Sequence, residues 1–148
     1  SEMQALGIQH VVATDQPDWQ QQVKAIHAEQ PLLVGVDSIG GKASGELLNT
    51  LSENGLLISF GSMTGELMQI ASGDLIFKQA TLKGFWASTV SRQMPAERKK
   101  ALFIELLTLA TQNKLVLPID GIFEFADITT AASKATQGAR QGKVLLKA

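Results

Sequence analysis

A chain of 148 residues, 45 % of them hydrophobic, is long enough to build one ordinary domain and to bury about 68–70 % of the surface that its unfolded form exposes. With no cysteine it can form neither a disulfide framework nor a thiolate metal site, and its composition resembles that of a cytoplasmic protein. A formal net charge of -1, with no long basic run and no apolar stretch near roughly 18 residues, leaves a nucleic-acid or membrane partner without its usual supports.

In chain order, Ser1-Glu2-Met3-Gln4-Ala5-Leu6 lacks the basic start and apolar centre of a signal peptide and has the character of a helix end, stopped at Gly7. His10-Val11-Val12-Ala13 predicts a short strand. Pro17 and Asp18 suit a helix start, because proline has no amide to leave unpaired there and an acid favours the positive helix end. Trp19, Val23 and Ile26 then fall at i, i+4 and i+7 and give that helix one apolar stripe. After Pro31, Leu32-Leu33-Val34-Gly35-Val36 is an almost continuous apolar run, as expected of a parallel strand covered on both faces. Glu46, Leu47, Leu48 and Leu51 mark a helix ending at Asn54-Gly55, with glycine in the left-handed cap. Leu56-Leu57-Ile58-Ser59-Phe60 follows at once as a second strand. Strand, helix and strand in this spacing form a βαβ unit, whose crossover is right-handed in ~98 % of cases. Such a unit sets its strands parallel and places ligands at their carboxyl ends.

A short apolar turn is expected around Leu75-Ile76-Phe77, then a strand from Thr81 to Trp86 near a sheet edge. Pro95 opens the longest helix, in which Leu102, Leu106 and Leu109, flanked by Phe103, Leu107 and Ala110, predict a broad buried face running to about Asn113. Ile122 to Phe125, Asp127 to Gln137 and Gly142 to Leu146 complete the chain as strand, helix and strand. The fold class is therefore α/β: a doubly wound parallel sheet with helices on both faces, followed by a strand-helix-strand segment.

Two apolar strands end in small, glycine-rich turns, Asp37-Ser38-Ile39-Gly40-Gly41 and Gly61-Ser62-Met63-Thr64-Gly65, with no phosphate-cradling glycine loop before them. They have the form of the second half of a nucleotide site. Asp37 suits a different task, accepting hydrogen bonds from turn amides so that Gly40 and Gly41 can bend the chain. His10 and His27 have no serine, cysteine or carboxylate at a triad or ligand spacing, and are expected to be structural or solvated. Arg92, Arg98, Lys99 and Lys100 cluster around the start of the long helix, as a solvated face does. No pair of carboxylates suggests acid and base catalysis, and no residue set suggests a metal.

The ordered segments LGIQHVVATD, GVDSIGG, LLISFGSMTG, LKGFW and the terminal GKVLL resemble the medium-chain dehydrogenase/reductase superfamily. Within it, the pattern is most similar to the zinc-independent quinone reductases and 2-enoyl-thioester reductases. The resemblance runs from Leu6 nearly to the end. It implies a partial Rossmann domain over residues 1–117, without its glycine-rich first βαβ, and over 118–148 a C-terminal segment that returns to the catalytic domain. The family's catalytic domain, first two nucleotide-binding strands and glycine loop would lie before Ser1.

The resemblance assigns cofactor contacts to Phe60, Gly61, Ser62 and Met63, which match the family segment lining the nicotinamide pocket. A glycine there lets backbone groups meet a flat ring and hydrogen-bond its carboxamide; the other reading is a loop that merely needs glycine. Phe85, Trp86 and Ala87 match a second nicotinamide-side segment, although an aromatic pair on a strand also serves as core. Lys143 matches a basic residue near the cofactor phosphates, and alone would be a solvated lysine. The implied activity of the parent protein is NADPH-dependent hydride transfer to an activated C=C bond of a 2-enoyl thioester, quinone or enone. The implied small-molecule substrate and NADP would meet an incomplete site here, so the isolated chain is expected to be inactive and to bind NADP weakly. A homodimer through an exposed sheet edge is expected. The alternative is a self-contained, non-catalytic nucleotide-binding or scaffolding module.

Overall fold

The computed structural model describes residues 2–137 and 142–148. They fall into two compact units, Ser1–Met94 and Pro95–Ala148. Ser1 itself lies outside the described residues.

The first unit opens with the short helix α1 (Glu2–Ala5), which ends where Gly7 turns to φ +87°. Helix α2 (Trp19–Ile26) starts after Pro17 and Asp18 as expected, with Gln22 Nε2 donating to Asp18 Oδ1 at 3.0 Å. Between them the expected strand at His10 to Ala13 is absent: the segment is irregular. A strand exists only by pairing, and no neighbouring strand offers this one a ladder among the described residues.

The βαβ unit forms as the apolar runs demand. Strand β1 (Val34–Asp37), helix α3 (Gly41–Thr50) and strand β2 (Leu56–Ser59) follow in order, and strand β3 (Thr81–Gly84) completes a three-stranded parallel sheet in the order β1-β2-β3. The register pairs Gly35 with Leu57 and Leu57 with Leu82. Helix α3 stops sooner than expected, and Asn54 at φ +60°, rather than Gly55, takes the left-handed position in the turn that leads to β2. Asparagine tolerates that region because its short polar side chain bonds locally.

The core sits between α3 and one face of the sheet. Leu48, Leu51 and Leu57 are buried there, with Leu32, Leu47, Ile70, Leu75 and Ala80 packed around them. Ser52 ties the entry to β1 down from both sides, since its amide donates to the Leu32 carbonyl and its hydroxyl accepts the Leu32 amide, each at 2.9 Å. The opposite face is open, which corrects the expectation that β1 is covered on both sides: Val34 and Val36 are 54 % and 59 % exposed. An apolar run records that a strand can be buried on two faces. It does not supply the element that buries the second one.

The expected apolar turn at Leu75 to Phe77 is instead helix α4 (Ser72–Phe77), and the strand expected to reach Trp86 ends as β3 at Gly84. A further helix, α5 (Ala87–Gln93), follows without a sequence signal that announced it.

In the second unit Pro95 caps the longest helix, α6 (Ala96–Thr111), and Asn113 at φ +55° ends it where expected. Its apolar side is not buried: Leu102, Phe103, Leu106 and Leu107 are all exposed, because no element of their own unit packs over them. Strand β4 (Ile119–Glu124), helix α7 (Ile128–Thr136) and strand β5 (Lys143–Lys147) form a second crossover, with β4 and β5 parallel. Lys134 on α7 fastens it by donating to the Asp120 carbonyl at 2.6 Å, with the Asp120 carboxylate 3.5 Å away.

Candidate functional site

The carboxyl ends of β1 and β2 carry the two glycine-rich turns, and the backbone laces one turn to the other. Consecutive carbonyls of the first accept amides of the second: Asp37 O from Phe60 at 2.9 Å, Ser38 O from Met63 at 3.1 Å, and Ile39 O from Thr64 at 3.1 Å. The Thr64 hydroxyl adds a second donor to Ile39 O at 3.2 Å. Further along, the Gln69 amide returns to Gly41 O at 3.0 Å. Gly61 is needed for this approach, since a Cβ there would lie 3.0 Å from Ser38 O and 3.3 Å from Ser38 Cα.

Asp37 organises the first turn from inside. Its Oδ1 accepts the Ile39 amide at 2.8 Å and the Gly40 amide at 3.3 Å, and its Oδ2 accepts the hydroxyl of buried Ser44 at 2.7 Å. Burial by itself raises the Asp37 pKa, but the bonds from Ser44, Ile39 and Gly40 together outweigh it and hold the carboxyl below the usual carboxylate range. Gly40 and Gly41, at φ +83° and +60°, make the bend that brings these amides round. The turn-building task expected of Asp37 is thus the one that it performs. Ser44 is the partner that the sequence marks only by its spacing: it lies on the first turns of the helix that Asp37 precedes.

Phe60 and Phe85 extend β2 and β3 by one residue each, with the Phe85 amide donating to Ser59 O at 2.8 Å. Their rings, with Val36 and Ile58, line an apolar hollow of about 360 Å³ on the open face of the sheet. Beside it, the amides of Gly61 and Ser62 have no hydrogen-bond partner among the described residues. Met63 is 78 % and Trp86 69 % exposed. Trp86 precedes α5 and Ala87 is its first residue. Phe60, Gly61, Ser62, Met63, Phe85, Trp86 and Ala87 are therefore grouped at adjoining strand ends of one unit. Lys143 belongs to the other unit, where it begins β5 and is exposed.

Such an arrangement can hold a flat apolar ring against the phenyl groups and offer it backbone N–H donors. The other polar candidates offer less. His27 Nδ1 donates to Gln30 O at 3.2 Å, and His10 is exposed and irregular. Among the described residues no helix is long and apolar enough to cross a membrane.

Residues 6–146 match the family model described as zinc-binding dehydrogenase. The chain belongs to that family. This family membership bears out the medium-chain dehydrogenase/reductase resemblance. Over 144 residues the chain is 29 % identical to a Bos taurus protein named mitochondrial enoyl-[acyl-carrier-protein] reductase, covering 95 % of this chain and 38 % of that one. It is 27 % identical over 89 residues to a Kluyveromyces marxianus protein named NADPH quinone oxidoreductase, covering 60 % of this chain and 23 % of that one. A solved mutant form of enoyl thioester reductase from Candida tropicalis matches with a TM-score of 0.80 at 19 % identity, over 99 % of this chain and 42 % of that one. An Etr1p/NADP/crotonyl-CoA complex matches with a TM-score of 0.73 at 19 % identity, over 90 % and 38 %. At those identities the structures establish the fold. The chain spans less than two fifths of the length of the curated relatives that it matches.

The family name implies zinc. The sequence holds two histidines and no cysteine, and among the described residues no group of three His, Asp or Glu side chains could hold a metal ion. These residues do not fit a zinc site.

Proposed function

We propose that the chain is the nicotinamide-side portion of an NADPH-dependent reductase that delivers hydride to an activated C=C bond, that of a 2-enoyl thioester in preference to a quinone or enone. The observation that carries this reading is the pair of laced turns at parallel strand ends, with an apolar hollow and two unpartnered amides beside them. Ligands of doubly wound sheets bind at that end of the strands. The preference for a thioester rests on the enoyl reductase named above, which is matched over most of this chain.

In this reading the nicotinamide, when bound, supplies the hydride. Phe60 and Phe85 pack against the ring and keep water from one side of it. The Gly61 and Ser62 amides hold its carboxamide, while Met63, Trp86 and Ala87 complete the rim. Lys143 is assigned to the cofactor phosphates by resemblance alone, and that assignment favours NADP. No described residue is assigned to proton transfer, and none to zinc; the reading places the parent protein in the zinc-independent branch on the resemblance of the ordered motifs. The free edge of β3, exposed at all four residues, is the surface proposed for a homodimer.

Steady-state reduction of a crotonyl thioester and of a quinone by NADPH tests the proposal. The 148-residue chain is expected to show no turnover above background, whereas the longer protein that carries these residues turns over the thioester faster than the quinone. Turnover by the short chain contradicts the proposed division of labour. A longer protein inactive on both substrates contradicts the reductase reading and favours a non-catalytic binding module.

A further inference from the structure

The first turn holds the second through three linked features. Asp37 is 4 % exposed and Ser44 fully buried, so the carboxylate is held inside the unit rather than offered to a ligand. Its bonds to the Ile39 and Gly40 amides and to the Ser44 hydroxyl fix the backbone of residues 38–40. The carbonyls of Asp37, Ser38 and Ile39 are the acceptors that seat Phe60, Met63 and Thr64. A peptide plane held by its N–H also has its neighbouring C=O groups aimed, because only two soft dihedrals separate one plane from the next.

We infer that Asp37 is a positioning residue for the cofactor turn: acting through the peptide planes of Ser38 and Ile39, it sets the height and tilt of Phe60–Thr64 and so the direction of the free Gly61 and Ser62 amides. It touches neither cofactor nor substrate. This inference rests on the reading of Gly61 to Met63 as a cofactor turn only for its functional consequence; the positioning itself is a property of the two turns. Ser44 is the second member of the device, since its hydroxyl holds the carboxylate in the rotamer that reaches both amides. Charge-assisted bonds of this kind are the stronger class, and a buried acceptor cannot be replaced by solvent.

Amide hydrogen exchange of the 148-residue chain, read residue by residue, tests the inference. The reporters are Phe60, Met63 and Thr64; the references are the Leu56 and Thr81 amides, which donate to Leu33 O and Gly55 O at the opposite end of the sheet, each at 2.8 Å. Asp37→Ala is expected to speed exchange at the reporters by about tenfold relative to the references, the scale set by loss of charged hydrogen bonds. Asp37→Asn keeps an oxygen acceptor for the two amides and is expected to restore the reporters to within about threefold of the parent chain. Should Asp37→Ala not fold, Ser44→Ala carries the test, with a smaller change in the same selective sense. Reporters and references that move together in every folded variant, or an Asp37→Asn chain as loosened as Asp37→Ala, overturn the inference. An NADPH titration run alongside separates the two readings. If NADPH shifts no amide at 61–63, the cofactor reading fails while the exchange data still decide the positioning; if it does, Asp37→Ala is expected to weaken those shifts at equal NADPH and Asp37→Asn to retain them.

Discussion

Leu57→Ala is expected to lower the free energy of unfolding by about 2–5 kcal/mol, the usual range for emptying a fully buried leucine site. Leu57 is the middle of the chain's most protected cluster, 0 % exposed and packed with Leu48 and Leu51. It also stands on the central strand, opposite Gly35 on one side and Leu82 on the other, so a cavity there has a neighbour to loosen in both directions. The surrounding shell has little capacity to collapse into the gap, because one wall is the sheet backbone and another is α3. Urea unfolding followed by circular dichroism measures the loss as a lower midpoint at unchanged slope. A loss under about 1 kcal/mol would show that the site relaxes freely and that the cluster is not a packed core. The effect reaches the site as well, since β2 carries Phe60 on its end.

Gly45→Ala should destabilise the chain even though helix propensity argues the other way. In an exposed helix interior the change gains about 0.8–1.0 kcal/mol. Gly45 lies in the middle of α3, however, where an added Cβ would run into the backbone carbonyl of Gln69. A backbone group cannot swing aside as a side chain does, and the Gln69 amide is itself tied to Gly41 O. Overpacking of this kind typically costs about 1–3 kcal/mol and turns the sign. The same urea experiment checks it, and a Gly45→Ala chain more stable than its parent would contradict the account. Because the strained segment leads out of the second turn, amide signals from Met63 to Gln69 should move further than those of β3.

Much of the first unit was legible in advance, for physical reasons that differ by element. The runs at Leu32 to Val36 and Leu56 to Phe60 were readable because parallel strands require nearly unbroken apolar sequence, and the intervening helix because its leucines repeat at helical spacing. The strand at His10 to Ala13 was not, since a lone extended segment has no ladder to hold it. Helix α5, with the sequence ASTVSRQ, has no sequence signal because it carries no apolar period and is rich in residues that favour turns and caps. The stripe of α6 is apolar, as its spacing predicts, yet exposed: amphipathicity belongs to a helix, but burial belongs to whatever lies against it.

The candidate site has residues that the sequence flags and a construction that it does not. Glycine, serine and aromatic side chains marked the strand ends, and family resemblance attached a cofactor to them. The lacing of the two turns is made by the carbonyls of Asp37, Ser38 and Ile39, which every residue type possesses and no sequence pattern reports. Asp37 was identified as a turn builder, while the reach of its effect into Phe60–Thr64 depends on that backbone geometry. Lys143 rests on resemblance alone.

The central claim is that the laced turns form the nicotinamide side of a reductase site, and amide chemical shifts of the labelled chain under titration with NADPH test it most directly. Weak, saturable shifts are expected, centred on Gly61, Ser62 and Phe85 to Ala87, with Leu56 and Thr81 at the far end of the sheet unmoved. Shifts centred on any other surface, or none at the strand ends at saturating NADPH, would contradict it.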